Sequence, residues 1–245
     1  CYVNNVEAHR KPRALELPAG RGSELAKDMR HLIAELAASI PAVFESDEYR
    51  TRSEAIGEGL NEHQQQAMHE LQEKAQAKGL ALLRTPTGLT FAPQHDGETL
   101  SPEEFNKLSE EDRKKIQANI EELQEEMRRV FRQAPAWHKE TRDKLDALNH
   151  EMAASVVSQA LESLRRKYAE LSNVLTHLSR VEDDLIANFN QFLPRQEHGA
   201  PPAGSRQAAQ TEESPWMNRY RVNVLTPREP NGGAPVVYDD HPTYN

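Results

Sequence analysis

The stretch Ile116-Gln117-Ala118-Asn119-Ile120-Glu121-Glu122-Leu123-Gln124-Glu125-Glu126-Met127-Arg128-Arg129-Val130 decides the fold class. Its apolar residues, Ile116, Ile120, Leu123, Met127 and Val130, advance in steps of 4, 3, 4 and 3. That rhythm returns an apolar side chain to one helix face at every turn, the pattern of a heptad seam. The paired carboxylates Glu121-Glu122 and Glu125-Glu126, like Asp183-Asp184 further on, lie on helices beside lysine and arginine and read as solvated i,i+4 pairs. The seam therefore joins two antiparallel helices, or else leaves a groove open to a client segment.

Downstream, Pro135 is expected to end this helix, because proline lacks the backbone donor and collides with the preceding turn. From Ala136 to about Leu171 a second stripe runs through Trp137, Leu145, Leu148, Met152, Val156, Leu164 and Tyr168. Roughly 36 helical residues at 1.5 Å each reach about 54 Å, which predicts an arm. A shorter helix carries Val174, Leu178, Val181, Leu185, Ile186 and Phe189 before Pro194. Upstream, Ser101-Pro102-Glu103-Glu104 has the cap, first-turn proline and reaching glutamate of a capping box. Leu80 to Thr85 and Leu89 to Ala92 flank Pro86-Thr87-Gly88 as a β-hairpin, with Pro93 to Leu100 read as a loop. A weakly striped helix is expected from Ser46 to Lys78, closed by Gly79. Another begins near Ser23, with Leu25, Met29, Leu32, Ile33, Leu36 and Ile40 on one face, and is expected to break at Pro41.

The composition agrees with a thin helical architecture. The 245 residues are 37% hydrophobic and 28% charged, with a net charge of −9. No apolar run reaches the ~20 residues that cross a bilayer, and the acidic balance argues against nucleic acid or an anionic membrane as main partner. Cys1 is the single cysteine, which excludes an internal disulfide and suits a reducing cytoplasm. The chain opens on Cys1 and a strand-like run to Val6, which reads as an excised piece of a longer protein. Strand material returns at Tyr220 to Leu225 and Ala234 to Tyr238. The expected organisation is a mainly α chain on a partial α/β base. Residues 1–22 and 216–245 form the base, 23–193 a helical insertion with a coiled-coil arm and hairpin, and 194–215 a flexible linker.

Chemistry is sparse. Pro18-Ala19-Gly20-Arg21-Gly22-Ser23 precedes a helix but lacks the spacing of a phosphate loop. Arg13 and Arg21 remain candidates for a nucleotide-proximal or subunit contact, against the plainer reading of a solvated loop. His63 and His69 fall on different helix faces, and His150-Glu151 lacks a second metal-binding histidine. No catalytic, cofactor-binding or metal-binding residue is predicted. The hairpin from Leu82 to Phe91 caps an arm and carries Leu89 and Phe91, which read as exposed; Leu82, Leu89 and Phe91 are the candidate contacts to a substrate or partner.

The two ends resemble a known family. Cys1-Tyr2-Val3-Asn4-Asn5-Val6 followed by Pro12-Arg13-Ala14-Leu15-Glu16-Leu17-Pro18-Ala19-Gly20-Arg21-Gly22 resembles the strand and loop after the first nucleotide-binding helix in bacterial Lon-related ATP-dependent proteases. Those enzymes carry a large insertion in the AAA+ module. Tyr220 to Leu225 and Gly233 to Asn245 resemble the segment leading back into it, and Leu80 to Phe105 resembles the insertion itself. The resemblance implies a parent that is an oligomeric, hexameric serine endopeptidase with a Ser-Lys dyad, using ATP and magnesium to feed unfolded protein clients to its active site. It places the Walker A loop before Cys1 and the remaining ATPase and protease parts after Asn245, so the chain by itself is expected to be inactive. The function expected is a non-catalytic insertion that recognises, gates or holds substrates. The alternative is an assembly module that makes subunit contacts in the ring.

Overall fold

The computed structural model describes residues 1–4, 12–86, 88–95, 98–194 and 216–225. Helix dominates them, accompanied by two small antiparallel sheets. The chain divides into two compact units, residues 1–50 with 149–245, and residues 51–148.

The first unit is organised by α1 (Arg21–Phe44), whose six predicted stripe residues are all buried. They meet Val174, Leu178, Val181 and Leu185 of α5 (Ser172–Ala187) and Val157 and Leu161 from the C-terminal part of α4 (Glu110–Lys167). At about 1.5–3 kcal/mol for each large apolar side chain removed from water, this three-way packing is the main stabilising contribution in the unit. A short sheet adjoins it: β1 (Tyr2–Val3) pairs antiparallel with both β2 (Arg13–Ala14) and β6 (Val222–Asn223). Before β6, the 3-10 turn Met217–Tyr220 buries Met217 and Tyr220, so the strand expected over 220–225 is confined to Val222–Asn223. The expected strand at 234–238 and nearly all of the expected linker lie outside the described residues.

Pro41 does not break α1. The stripe continues past it to Phe44, whose ring stacks on Phe189 at 5.2 Å and meets Tyr49 edge-on at 4.9 Å. With Ile40 fully buried and Phe44 anchored, one lost backbone donor is outweighed by packing on either side. Pro135 is likewise internal to α4, which runs unbroken for 58 residues instead of stopping and restarting.

The second unit contains most of α2 (Asp47–Ala77), a hairpin of β3 (Leu80–Thr85) and β4 (Gly88–His95), β5 (Glu98–Thr99), α3 (Pro102–Lys107) and the N-terminal part of α4. Gly79, at φ 69°, reverses the chain after α2 in the left-handed conformation that glycine adopts without steric cost. β4 extends into the segment expected to be a loop, because β5 pairs with its end through Gln94–Thr99 and His95–Glu98. Ser101 caps α3, and Glu104 completes the capping box as expected. The seam of α4 buries Leu123 and half-buries Ile116, Ile120 and Met127 against Leu71 and Ala75 of α2 and Leu80, Leu82 and Phe91 of the hairpin. Its partner is thus a helix and a hairpin together. Ion pairs Lys74–Glu126, at 2.7 Å, and Lys78–Glu122 border the seam.

Candidate functional site

The hairpin register sets Leu82 opposite Phe91 and Arg84 opposite Leu89. Because side chains alternate along a strand, Leu82, Leu89 and Phe91 share one face. That face is turned to the unit's own core near its base: Leu80 is wholly buried and Phe91 is 5% exposed. The expectation that Phe91 is exposed is therefore corrected. Its ring closes the short end of the seam beside Leu123, where leaving it in water would forfeit one of the unit's few large apolar contacts. Leu82 and Leu89 are half-buried on this face, and Leu83 is half-buried on the opposite one. Sequence reasoning missed Phe131, which is 53% exposed on α4, because it lies directly after the seam residue Val130 and carries no periodic signal of its own.

Elsewhere in this unit α2 and α4 leave a hollow of about 240 Å³. Ile56, Gly59, Leu60 and His63 line one side, Trp137 and Lys144 the other. The rings of His63 and Trp137 lie 6.3 Å apart. A Cβ at Gly57 or Gly59 would meet nothing within 4 Å, so neither glycine is there to admit a neighbouring group.

Arg21 and Arg13, the two candidate arginines, belong to the first unit and have different surroundings. Arg21 is held internally. Its guanidinium binds Glu24 at 2.6 Å, donates to the Lys167 carbonyl at 3.0 Å and lies 4.7 Å above the Tyr168 ring. Beside it, Lys167 pairs with Asp28 at 2.7 Å and Glu24 at 2.8 Å, and the Tyr168 hydroxyl donates to Asp28 at 2.8 Å. Hydrogen bonds to Asp28 and Glu24 hold the Lys167 ammonium above its ordinary range, while burial and then Asp28 push the Tyr168 hydroxyl up. The cluster clasps the start of α1 to the end of α4, satisfying one of the last α4 carbonyls with a cation.

Arg13, on β2, has a buried Nη1 without a hydrogen-bond partner. Its charge acts on His177 of α5, which is 4% exposed and whose Nε2 is also unpartnered. Burial, then Arg13 and Arg180, push the His177 imidazole down from 6.5 to about 4, so it is neutral near pH 7. A second buried polar group is fully engaged, and it corrects the expectation of a solvated Asp183-Asp184 pair, because Asp184 is drawn inside by three donors. Asp184 of α5 accepts hydrogen bonds from the Tyr220 hydroxyl at 2.7 Å, Arg219 at 2.9 Å and Asn188 at 3.1 Å. It ties the 3-10 turn to α5, and burial followed by Asp184 raises the Tyr220 hydroxyl. These groups are enclosed: Asp184 is 7% exposed and Tyr220 2%. Their chemistry is structural attachment. Among the described residues, no group of three or more His, Cys, Asp or Glu side chains is placed to hold a metal ion. Among the same residues, no helix is long and apolar enough to cross a membrane.

Residues 1–32 match the family model of the Lon-like LonC helical domain. No curated protein and no solved structure gives a significant match. The matched residues comprise β1, β2 and the first half of α1, the part of the first unit that also holds Arg13, Arg21 and Gly22. The chain thus begins with a segment similar to the helical domain of Lon-like proteases.

Proposed function

We infer that the chain is the helical insertion of a bacterial Lon-like AAA+ protease, a non-catalytic module that recognises, gates or holds protein substrates. The observation that carries this reading is the match of residues 1–32 to the Lon-like helical domain. The second unit supports it. A helical pair there carries a hairpin, with Leu82 and Leu89 half-buried and Phe131 exposed, a modest apolar surface suited to weak contact with unfolded segments. In this reading α2 and α4 form the arm, residues 1–22 and 216–245 belong to the AAA+ base, and the parent is a cytoplasmic hexamer supplied with ATP and magnesium by parts outside this chain.

The test is deletion of residues 51–148 in the parent protease. With the ring still assembled, loss of degradation of unfolded clients and retention of short-peptide cleavage is the expected result. Unchanged degradation of every folded and unfolded client would sink the reading. The double substitution of Leu89 and Phe131 by serine localises the effect: it is expected to raise KM for an unfolded client severalfold and leave short-peptide cleavage intact.

A further inference from the structure

The first sheet carries a cation on its inward face. Val3 stands directly opposite Arg13 on one side and Val222 on the other, and both valines are buried. Cross-strand partners project to the same face, so the Arg13 side chain leaves the sheet toward the core that the valines share with α5. Asn173 Nδ2 donates to the Glu16 carbonyl at 2.8 Å, which pins the chain just after β2 beside the first turn of α5. Three residues back stands Arg13, and one turn further along α5 stands His177, flanked by the buried Val174, Leu178 and Val181. Arg13 Nη1 and His177 Nε2 are both buried and both lack a hydrogen-bond partner. The charges that act on His177, those of Arg13 and Arg180, are both positive. Other interior polar groups of the unit are answered: Asp184 has three donors, Glu182 takes Arg165 and Ser158, and Asp28 takes Lys167 and Tyr168. Among the described residues, no carboxylate pairs with Arg13.

We propose that Arg13 Nη1 and His177 Nε2 hold a small monovalent anion, of chloride size, between β2 and α5. A guanidinium with a buried nitrogen needs a countercharge as well as an acceptor, and a bridging water supplies only the acceptor. The imidazole serves as the second donor with its proton on Nε2. Charge and enclosure select the occupant. A neutral imidazole beside one guanidinium balances a single negative charge, whereas phosphate calls for several converging charged donors. With His177 only 4% exposed, the site admits an ion and shuts out a partner's polypeptide. Arg13 is half-buried, so its guanidinium reaches from the enclosed nitrogen toward the surface by which an ion enters. The inference does not rest on the protease reading, and it leaves the contact surface of the second unit untouched.

The experiment places the full chain at pH 7 in sodium gluconate, whose anion is too large for the site, and replaces it with sodium chloride at constant ionic strength. Carbon-13-labelled histidine rings are followed by NMR, and the His177 signal is assigned by its loss in His177→Gln. That signal is expected to move saturably, half-way by about 100 mM chloride, and bromide is expected to reproduce the movement. The Tm should rise by about 3–6 °C at ten times the half-saturating concentration. Arg13→Met keeps an apolar stem and removes the charge. It is expected to abolish both responses while folding in gluconate at least as stably as the parent, because it deletes a buried cation without a countercharge. Arg30→Met, which removes an exposed cation of α1, should keep both responses. No saturable movement by about 0.5 M chloride, or a response that survives Arg13→Met, would overturn the proposal. A crystal grown in bromide decides independently of whether the variant folds: anomalous signal within hydrogen-bonding reach of both nitrogens is expected, and a water bridging them in its place would sink the idea.

Discussion

The two units spend their apolar residues differently. In the first, Leu25, Leu36, Ile40, Leu161, Leu178 and Leu185 are all completely buried, contributed by three different helices. In the second, the buried cluster is Leu71, Ala75, Leu80, Phe91 and Leu123, a single seam with a hairpin laid against it. The first unit also seals polar groups inside, with Asp184 and His177 nearly free of solvent. The second keeps its ion pairs at the surface, where each contributes little. A thick core can tolerate buried polar ties and short strands. A thin seam opens locally at low free energy.

Removing the tie tests the first half of that comparison most severely. Asp184→Ala leaves the Arg219 charge and the Tyr220 hydroxyl without their buried partner, and should cost about 3–5 kcal/mol. Urea unfolding followed by Trp216 fluorescence measures it, since the Trp216 ring lies 6.2 Å from that of Tyr220. A loss below about 1 kcal/mol would mean the tie is incidental.

The next test applies one chemical change to each unit. Leu36→Ala and Leu123→Ala both empty a fully buried site and should each cost about 3 kcal/mol locally. Their reach should differ. Hydrogen exchange is expected to quicken over α1 and α5 in the first variant, and in the second only within residues 51–148. Uniform quickening in both would erase the distinction between the units.

Acid should narrow the gap between them. With the His177 imidazole at about 4 in the folded chain against 6.5 ordinarily, the unfolded chain takes up a proton that the folded chain refuses as pH falls below 6.5. Stability is full above pH 6.5 and declines to pH 4, by about 2–3 kcal/mol at pH 4.5. Urea midpoints at pH 7 and 4.5 report this loss, and His177→Gln should reduce it to less than half. The smallest expected change is a gain. Gly57→Ala and Gly59→Ala have free space for the new methyl group and should each stabilise α2 by about 1 kcal/mol, raising exchange protection over residues 51–77. If that protection is unchanged, glycine does not limit the helix.

Much of this difference is legible before folding. The dense stripe Leu25 to Ile40 becomes the most buried helix face, and the sparser Ile116 to Val130 becomes the thin seam. Gly79 and Ser101 mark element ends because their signals are local. Pro41 and Pro135 mislead for the opposite reason: whether a proline stops a helix depends on packing beyond it, and Phe44 finds its partner 145 positions away at Phe189. The Asp184–Tyr220 tie is hidden in the same way, because it joins α5 to the 3-10 turn across 36 positions that no local pattern spans. Phe91 looks outward when the hairpin is read alone, and turns inward once Leu123 supplies a surface for it.

The pairing of β1 with β6 has a topological meaning. Tyr2 and Asn223 are direct partners across an antiparallel ladder, so their Cα atoms lie about 5 Å apart. Everything from α1 to α5 is a closed excursion that departs from and returns to nearly the same point. Such an excursion can be spliced into a host polypeptide without prying the host's strands apart, and the entropy of closing it rises only as the logarithm of its length. A graft into an unrelated scaffold would need two neighbouring attachment points, with no room reserved between them.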